Sequence, residues 1–312
     1  MKGHPENHYR IFQAMQGVPS GVRRLAAPSA EIGQVLRIHS SGYLEWLRSV
    51  AAESGQIRMI DPDTYVTRHS YQVALDAAGA AIRAAEMALE GKDCFAFVRP
   101  PGHHAESSRA MGFCLLNNIG IAAAQALEEA DRVAIVDWDL HHGNGTQHAF
   151  YSHGRVMYCS VHDRFAFPCT GHAMETGEGA GKGLIINAPL IPGSAGPDFI
   201  AVFAEVFAPA LLRFDPDLLL VSAGQDALKD DPLSSMRLRA PDYGALMGIL
   251  LDTLDLPVAL ILEGGYGPSH GDAVGCIFRA LMERKRSDVR DRSVNESTSE
   301  VISLLKEVHH LD

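Results

Sequence analysis

The 312-residue sequence has no apolar run approaching the ~20 residues needed to cross a bilayer, and its first ten residues are polar, without a signal-peptide core. A soluble, cytoplasmic protein with no membrane partner is the expectation. Cysteine is scarce: Cys94, Cys114, Cys159, Cys169 and Cys276 are an odd number with no CxxC pair. Neither a disulfide framework nor a cysteine-held zinc is indicated, and a reducing compartment fits. Positive charge is also short, with 27 Lys+Arg against 38 Asp+Glu and a net charge of -11. That argues against direct binding of nucleic acid, whose phosphates would be repelled. The densest basic stretch, 284–292, has acidic residues interspersed. The glycine-rich segment 177–183 fails as a phosphate loop, because Lys182 is followed by Gly183 instead of Ser or Thr. A flexible loop is expected there. No Pro/Ser-rich linker and no internal repeat divides the chain.

What the sequence does have is a 46% hydrophobic content, enough for a sizeable core. Continuous apolar runs at 94–98, 132–137, 156–161, 184–187, 218–222 and 258–262 read as parallel strands covered on both faces. Between them, 71–90, 117–129, 198–213, 241–254 and 270–284 read as helices. The alternation predicts an α/β fold, a three-layer αβα sandwich with a mostly parallel central sheet, built as one domain over 1–312. The stretch 293–312 predicts a short amphipathic helix through Val301, Ile302, Leu304 and Leu305. It is expected to cap the domain or to meet another subunit of a homo-oligomer.

Chemistry gathers where the strands run out, the end at which α/β sheets carry their ligand-binding loops. After the 132–137 strand comes Asp137-Trp138-Asp139-Leu140-His141-His142-Gly143-Asn144. Asp139 and His141 are two apart, so an extended segment would point both side chains the same way, towards one ion. After the 218–222 strand, Asp226 is the natural third ligand. Two carboxylates and a neutral imidazole nearly neutralise a divalent zinc and leave a position open, the catalytic arrangement. After the 258–262 strand, Gly264 and Gly265 allow a tight turn that exposes Tyr266, whose hydroxyl could polarise a carbonyl. Pro100-Pro101-Gly102 precedes the pair His103-His104. Singly, each of these groups reads more plainly as a turn, a cap or a surface loop. Four of them in compatible chemistry point to a metal hydrolase. His142 faces the other way on an extended segment and is expected to be a buried, hydrogen-bonded structural histidine.

These residues resemble the histone deacetylase and acetylpolyamine amidohydrolase family, from Gly3-His4-Pro5-Glu6 to about Arg284, with the 137–147 motif closest to the class II and bacterial branch. The resemblance implies the same αβα architecture. It implies one catalytic zinc on Asp139, His141 and Asp226, His103 and His104 as the catalytic histidine pair, and Tyr266 as the catalytic carbonyl-polarising residue. It further implies that Asp137 orients His103 and Asn144 orients His104. Gly112, Phe113, Phe167 and Leu233 would line a tunnel for the acyl-lysine, with Asp63 holding the substrate backbone at the rim. A structural potassium would lie near Asp137, Asp139, His141, Ser160 and Val161. The implied substrates are acetylated lysine peptides or proteins, or acetylpolyamines, and the products acetate and a free amine. Two other classes compete: a non-catalytic acetyl-lysine binding module, which would not need Tyr266 and the histidine pair, and a dimanganese ureohydrolase, which would need further bridging aspartates. Two positions depart from the family pattern. Gln225 replaces a large apolar residue and is expected as a buried amide turned away from the metal, or as the sign of a shifted loop; Arg68-His69 replaces a Pro-Gly turn near the rim.

Overall fold

The computed structural model describes residues 3–284 and 293–311. All of the basic stretch 284–292 except Arg284 lies outside the described residues. The strands are β1 (Arg58–Met59), β2 (Tyr65–Val66), β3 (Cys94–Ala96), β4 (Val133–Asp137), β5 (Val156–Asp163), β6 (Ile185–Leu190), β7 (Leu218–Ala223) and β8 (Val258–Leu262). The first two pair as a small antiparallel ribbon. The other six form one parallel sheet in the order β3-β8-β7-β4-β5-β6. Every residue of β4, β5, β7 and β8 is buried, which is why these strands read as unbroken apolar runs.

Helices flank the sheet: α1 (Tyr9–Met15), α2 (Ile32–Val35), α3 (Ser41–Glu53), α4 (Ser70–Leu89), α5 (Asn118–Ala126), α6 (Asn144–Phe150), α7 (Gly196–Val202), α8 (Ala208–Phe214), α9 (Ala240–Thr253), α10 (His270–Glu283) and α11 (Glu296–His309). The alanine-rich α4 lets the backbone approach closely, and it packs across β3, β7 and β8 and against α5. Ser40 and Asn117 cap α3 and α5 by accepting from Tyr43 N and Gly120 N. None of these helices is long and apolar enough to cross a membrane.

The expected helix at 198–213 is interrupted. Between α7 and α8 the chain makes one π-helical turn, Phe203–Phe207. Pro209, inside the first turn of α8, has no N–H to continue the α-helical ladder, and the wider turn absorbs the mismatch. In α11 the buried set is Thr298, Ile302, Leu305 and His309, a spacing of four, three and four. Leu304 falls off that face and is exposed, which corrects the apolar stripe read from the sequence. This helix lies against β6 and α7. The 177–183 segment is not an open loop throughout: 179–181 closes a 3-10 turn.

The strand order positions the site. From β4 the chain moves outward through β5 and β6, then returns to the other side of β4 to lay down β7 and β8. Loops leaving β4 and β7 therefore diverge, and the crevice between them is where such sheets bind ligands. The register is level there, with Asp137 beside Ser222 and Ser222 beside Ile261.

Candidate active site

The loops after β3, β8, β7 and β4, four neighbouring strands, carry His103 and His104, Tyr266, Asp226, and Asp139 with His141 respectively. Asp139, His141 and Asp226 each offer a ligand atom within 4.8 Å of the others. His141 Nδ1 is 3.2 Å from Asp139 Oδ1 and 3.0 Å from Asp226 Oδ2. The remaining carboxylate oxygens are fixed by backbone donors: Gly264 N to Asp139 Oδ2 at 2.7 Å and Leu140 N to Asp226 Oδ1 at 2.8 Å. β4 ends at Asp137, and a bend, not the alternation of a strand, brings Asp139 and His141 together. Strand periodicity predicted that these two side chains meet, but by a geometry other than the one observed.

One imidazole nitrogen carries at most one proton, yet two buried carboxylates aim at it. Burial alone would push His141 down, but the hydrogen bonds and charges of Asp139 and Asp226 outweigh it and raise the imidazole to about 10. The cluster therefore attracts positive charge strongly, and the mixed oxygen and nitrogen donor set fits a divalent zinc.

The histidine pair sits beside this cluster, the two rings 4.1 Å apart. Asp137 Oδ2 lies 3.1 Å from His103 Nδ1, and Asn144 Oδ1 lies 2.8 Å from His104 Nδ1. Burial works against a charge on His103, but Asp139, Asp137 and Glu263 overcome it and raise the ring to about 10. His104 has no such support. Burial first, then repulsion from His103 and His141, hold it well below the ordinary histidine range. The pair is thus one charged and one neutral imidazole.

Tyr266 follows Gly265, whose φ of +122° is open to glycine and strained for other residues. Its ring meets Phe113 edge-on at 5.9 Å. Phe167 meets His104 edge-on at 5.1 Å. Gly112, at φ +56°, separates these groups: a Cβ there would come within 2.5 Å of His104 Cδ2 and 2.8 Å of Phe167 Cε1. Leu233 and Phe167 are both partly exposed, as lining residues at an open mouth would be. Asp63 lies on the turn before β2. Its carbonyl meets His4 Nε2 at 3.0 Å, and its neighbour Thr64 accepts from Phe113 N at 3.0 Å, which ties this turn to the Phe113 backbone. Ser160 lies beside Asp137 across the β4–β5 pairing, with Val161 next to it, and Ser160 Oγ is 2.9 Å from His162 Nδ1.

His142 is buried with its nitrogens 2.7 Å from Thr170 Oγ1 and 3.0 Å from Gln147 Oε1, away from the acidic cluster. Gln225 is buried too. Its amide donates to Ala223 O at 2.6 Å and its oxygen meets His270 Nε2 at 2.8 Å.

Three supporting residues were not singled out from the sequence. Glu263 Oε2 accepts from Gly102 N and His103 N at 2.6 and 3.1 Å, holding the loop that carries the histidine pair. Asp231 Oδ2 accepts from Tyr266 N and Gly267 N at 2.6 and 2.8 Å, and its Oδ1 from Leu233 N at 2.9 Å, joining the tyrosine turn to the segment that carries Leu233. Arg10, almost wholly buried, donates to the carbonyls of Gly265 and Glu263 and lies 4.9 Å over the Tyr266 ring. The acid at 263 directly before the two glycines was a readable signal; Asp231 and Arg10 act on backbone groups far away in sequence, which no local pattern reveals.

The family model described as the histone deacetylase domain matches residues 4–281. The chain belongs to the histone deacetylase family. It is 37% identical over 277 residues to a probable deacetylase of Archaeoglobus fulgidus, covering 84% of this chain and 76% of that protein. It is 33% identical over 299 residues to the histone deacetylase-like amidohydrolase of Pseudomonas aeruginosa, covering 92% and 78%. The crystal structure of the HDA15 HD domain superposes with a TM-score of 0.92 at 30% identity, covering 99% of this chain and 89% of that one. Membership in this family brings hydrolase chemistry, the deacetylation of an acylated substrate.

Proposed function

We propose that this chain is a zinc-dependent amidohydrolase that removes acetyl groups from N-acetyl-lysine side chains, releasing acetate and the free amine. The observation that carries the reading is the convergence of Asp139, His141 and Asp226 within 4.8 Å, flanked by a neutral His104. A zinc ion held by those three residues would supply a Lewis acid that polarises the amide carbonyl and acidifies water.

The rest of the chemistry belongs to side chains. His104, uncharged at neutral pH, takes the proton of the attacking water on Nε2 and returns it to the amine nitrogen as the C–N bond breaks. His103, its Nδ1 3.1 Å from Asp137 Oδ2 and its ring beside His104, supports the developing oxyanion through charge and hydrogen bonding. The Tyr266 hydroxyl donates a hydrogen bond to the same oxygen. Phe113, Phe167 and Gly112 enclose the apolar stem, with Leu233 at the mouth, and Asp63 offers an acceptor to a peptide N–H at the rim. In the same reading the chain is one catalytic domain, and Asp137, Asp139, His141, Ser160 and Val161 hold a structural potassium.

Acetylpolyamines are the second substrate class, favoured by the net charge of -11, which attracts cations. Against them, Leu233 presents an apolar wall without a carboxylate for a second cationic nitrogen. The expected result is a higher kcat/KM for an acetyl-lysine peptide than for N-acetylputrescine under identical metal and salt conditions. A clear advantage for N-acetylputrescine would overturn the substrate assignment and leave the amide hydrolysis standing.

A further inference from the structure

The Asn144 amide could face His104 with either end, and the two choices have opposite chemical consequences. With Oδ1 towards the ring, Nδ1 must donate, and Nε2 keeps its lone pair for accepting a proton. With the amide reversed, Nδ1 would accept, Nε2 would carry the hydrogen, and His104 could not act as a base. Within the Asn144–His104 pair, only the long contact of Nδ2 with the His104 carbonyl, at 3.3 Å, bears on the choice.

The deciding group lies behind Asn144. Its Nδ2 donates to Glu106 Oε1 at 2.5 Å and to the carbonyl of His104 at 3.3 Å. A carboxylate and a carbonyl can only accept. Reversing the amide would set its oxygen against both, leaving acceptors facing one another in a buried place. Glu106 is itself held from two sides. Its backbone pairs with Arg109 in a tight turn, with Glu106 N donating to Arg109 O at 2.9 Å. His148 Nδ1 is 2.8 Å from the same Oε1, one helical turn after Asn144 on α6, so both side chains reach Glu106 from one face. The Glu106 side chain is 25% exposed and that of His148 53%, so the carboxylate keeps some access to water.

We propose that Glu106 is a positioning residue for the hydrolysis, fixing the Asn144 amide so that His104 is held in the Nδ1–H tautomer with Nε2 free. This rests on the reading of His104 as the proton-transfer group. A residue that merely pins α6 to the neighbouring loop would influence stability, and the tautomer of His104 would be indifferent to it.

The test uses the zinc-loaded protein labelled with 15N-histidine, with the His104 ring signals assigned by their loss in H104Q. Parent protein should show one Nδ1–H tautomer for His104. In E106L only the long contact with the His104 carbonyl remains, so the signals should report a mixture and kcat should fall roughly 10-fold or more, part of the 10²- to 10⁴-fold that general acid–base catalysis supplies, with KM unchanged. E106K replaces the acceptor by a donor and should favour the reversed amide, giving the Nε2–H form and a larger fall in kcat. E106Q still offers an acceptor oxygen and should restore both the parent tautomer and most of kcat. Circular dichroism identifies the variants that fold, and either E106L or E106K suffices. A folded E106L or E106K with the parent tautomer and parent kcat would overturn the proposal, as would a rise in KM alone. If H104Q keeps full turnover, the hydrolytic role of His104 fails, while the tautomer spectra still decide the role of Glu106.

Discussion

Replacing Tyr266 by phenylalanine is expected to lower kcat by roughly 10²-fold or more, the scale of losing one oxyanion donor, with zinc content and fold unchanged. The ring packs against Phe113 and beneath Arg10, and the turn is held through the backbone N–H groups of Tyr266 and Gly267 on Asp231. None of these contacts uses the hydroxyl. The substitution therefore removes a donor without loosening its support, and the loss should appear in kcat and not in KM, since the contact strengthens as charge develops on the carbonyl oxygen. Steady-state kinetics with elemental analysis on the same preparation measure both quantities. Unchanged turnover at parent metal content would refute the role.

Asp226→Ala should behave differently, stripping zinc and activity together. The carboxylate supplies one of the three converging donors and accepts from Leu140 N at 2.8 Å, so its removal opens the cluster and leaves a buried N–H unpaired. The loss in activity should exceed the roughly 10- to 100-fold that removal of a supporting contact costs at a metal site. Metal content per chain and acetate release are the readouts. A variant with full zinc occupancy and turnover would remove Asp226 from the ligand set. Together the two substitutions separate holding the metal from stabilising the oxygen, because only one of them should change occupancy.

The central sheet was legible because parallel strands covered on both faces must be apolar throughout: Val258 to Leu262 was read with its observed ends, and the other strands within two residues at either end, except β6, whose end was read three residues early. Short helices were not. Tyr9–Met15 and Asn144–Phe150 are one or two turns long, carry little apolar periodicity, and owe their form to what they pack against. In the site, the residues proposed to meet an ion or a carbonyl stood out because they interrupt apolar runs with groups that cost energy to bury. Those that hold the scaffold did not. Arg10 reaches Gly265 across 255 positions of sequence and Asp231 reaches Tyr266 across 35, each through a backbone atom that leaves no mark on side-chain pattern. Asp139 and His141 show a third case, in which a spacing of two suggested a strand where the chain bends.

The most direct test of the account is a zinc titration of the metal-free protein, following acetate released from an acetyl-lysine peptide. The account predicts that the rate rises linearly and breaks at one zinc per chain. A metal-free protein that already turns over at the full rate, or a break at two metals per chain, would contradict it.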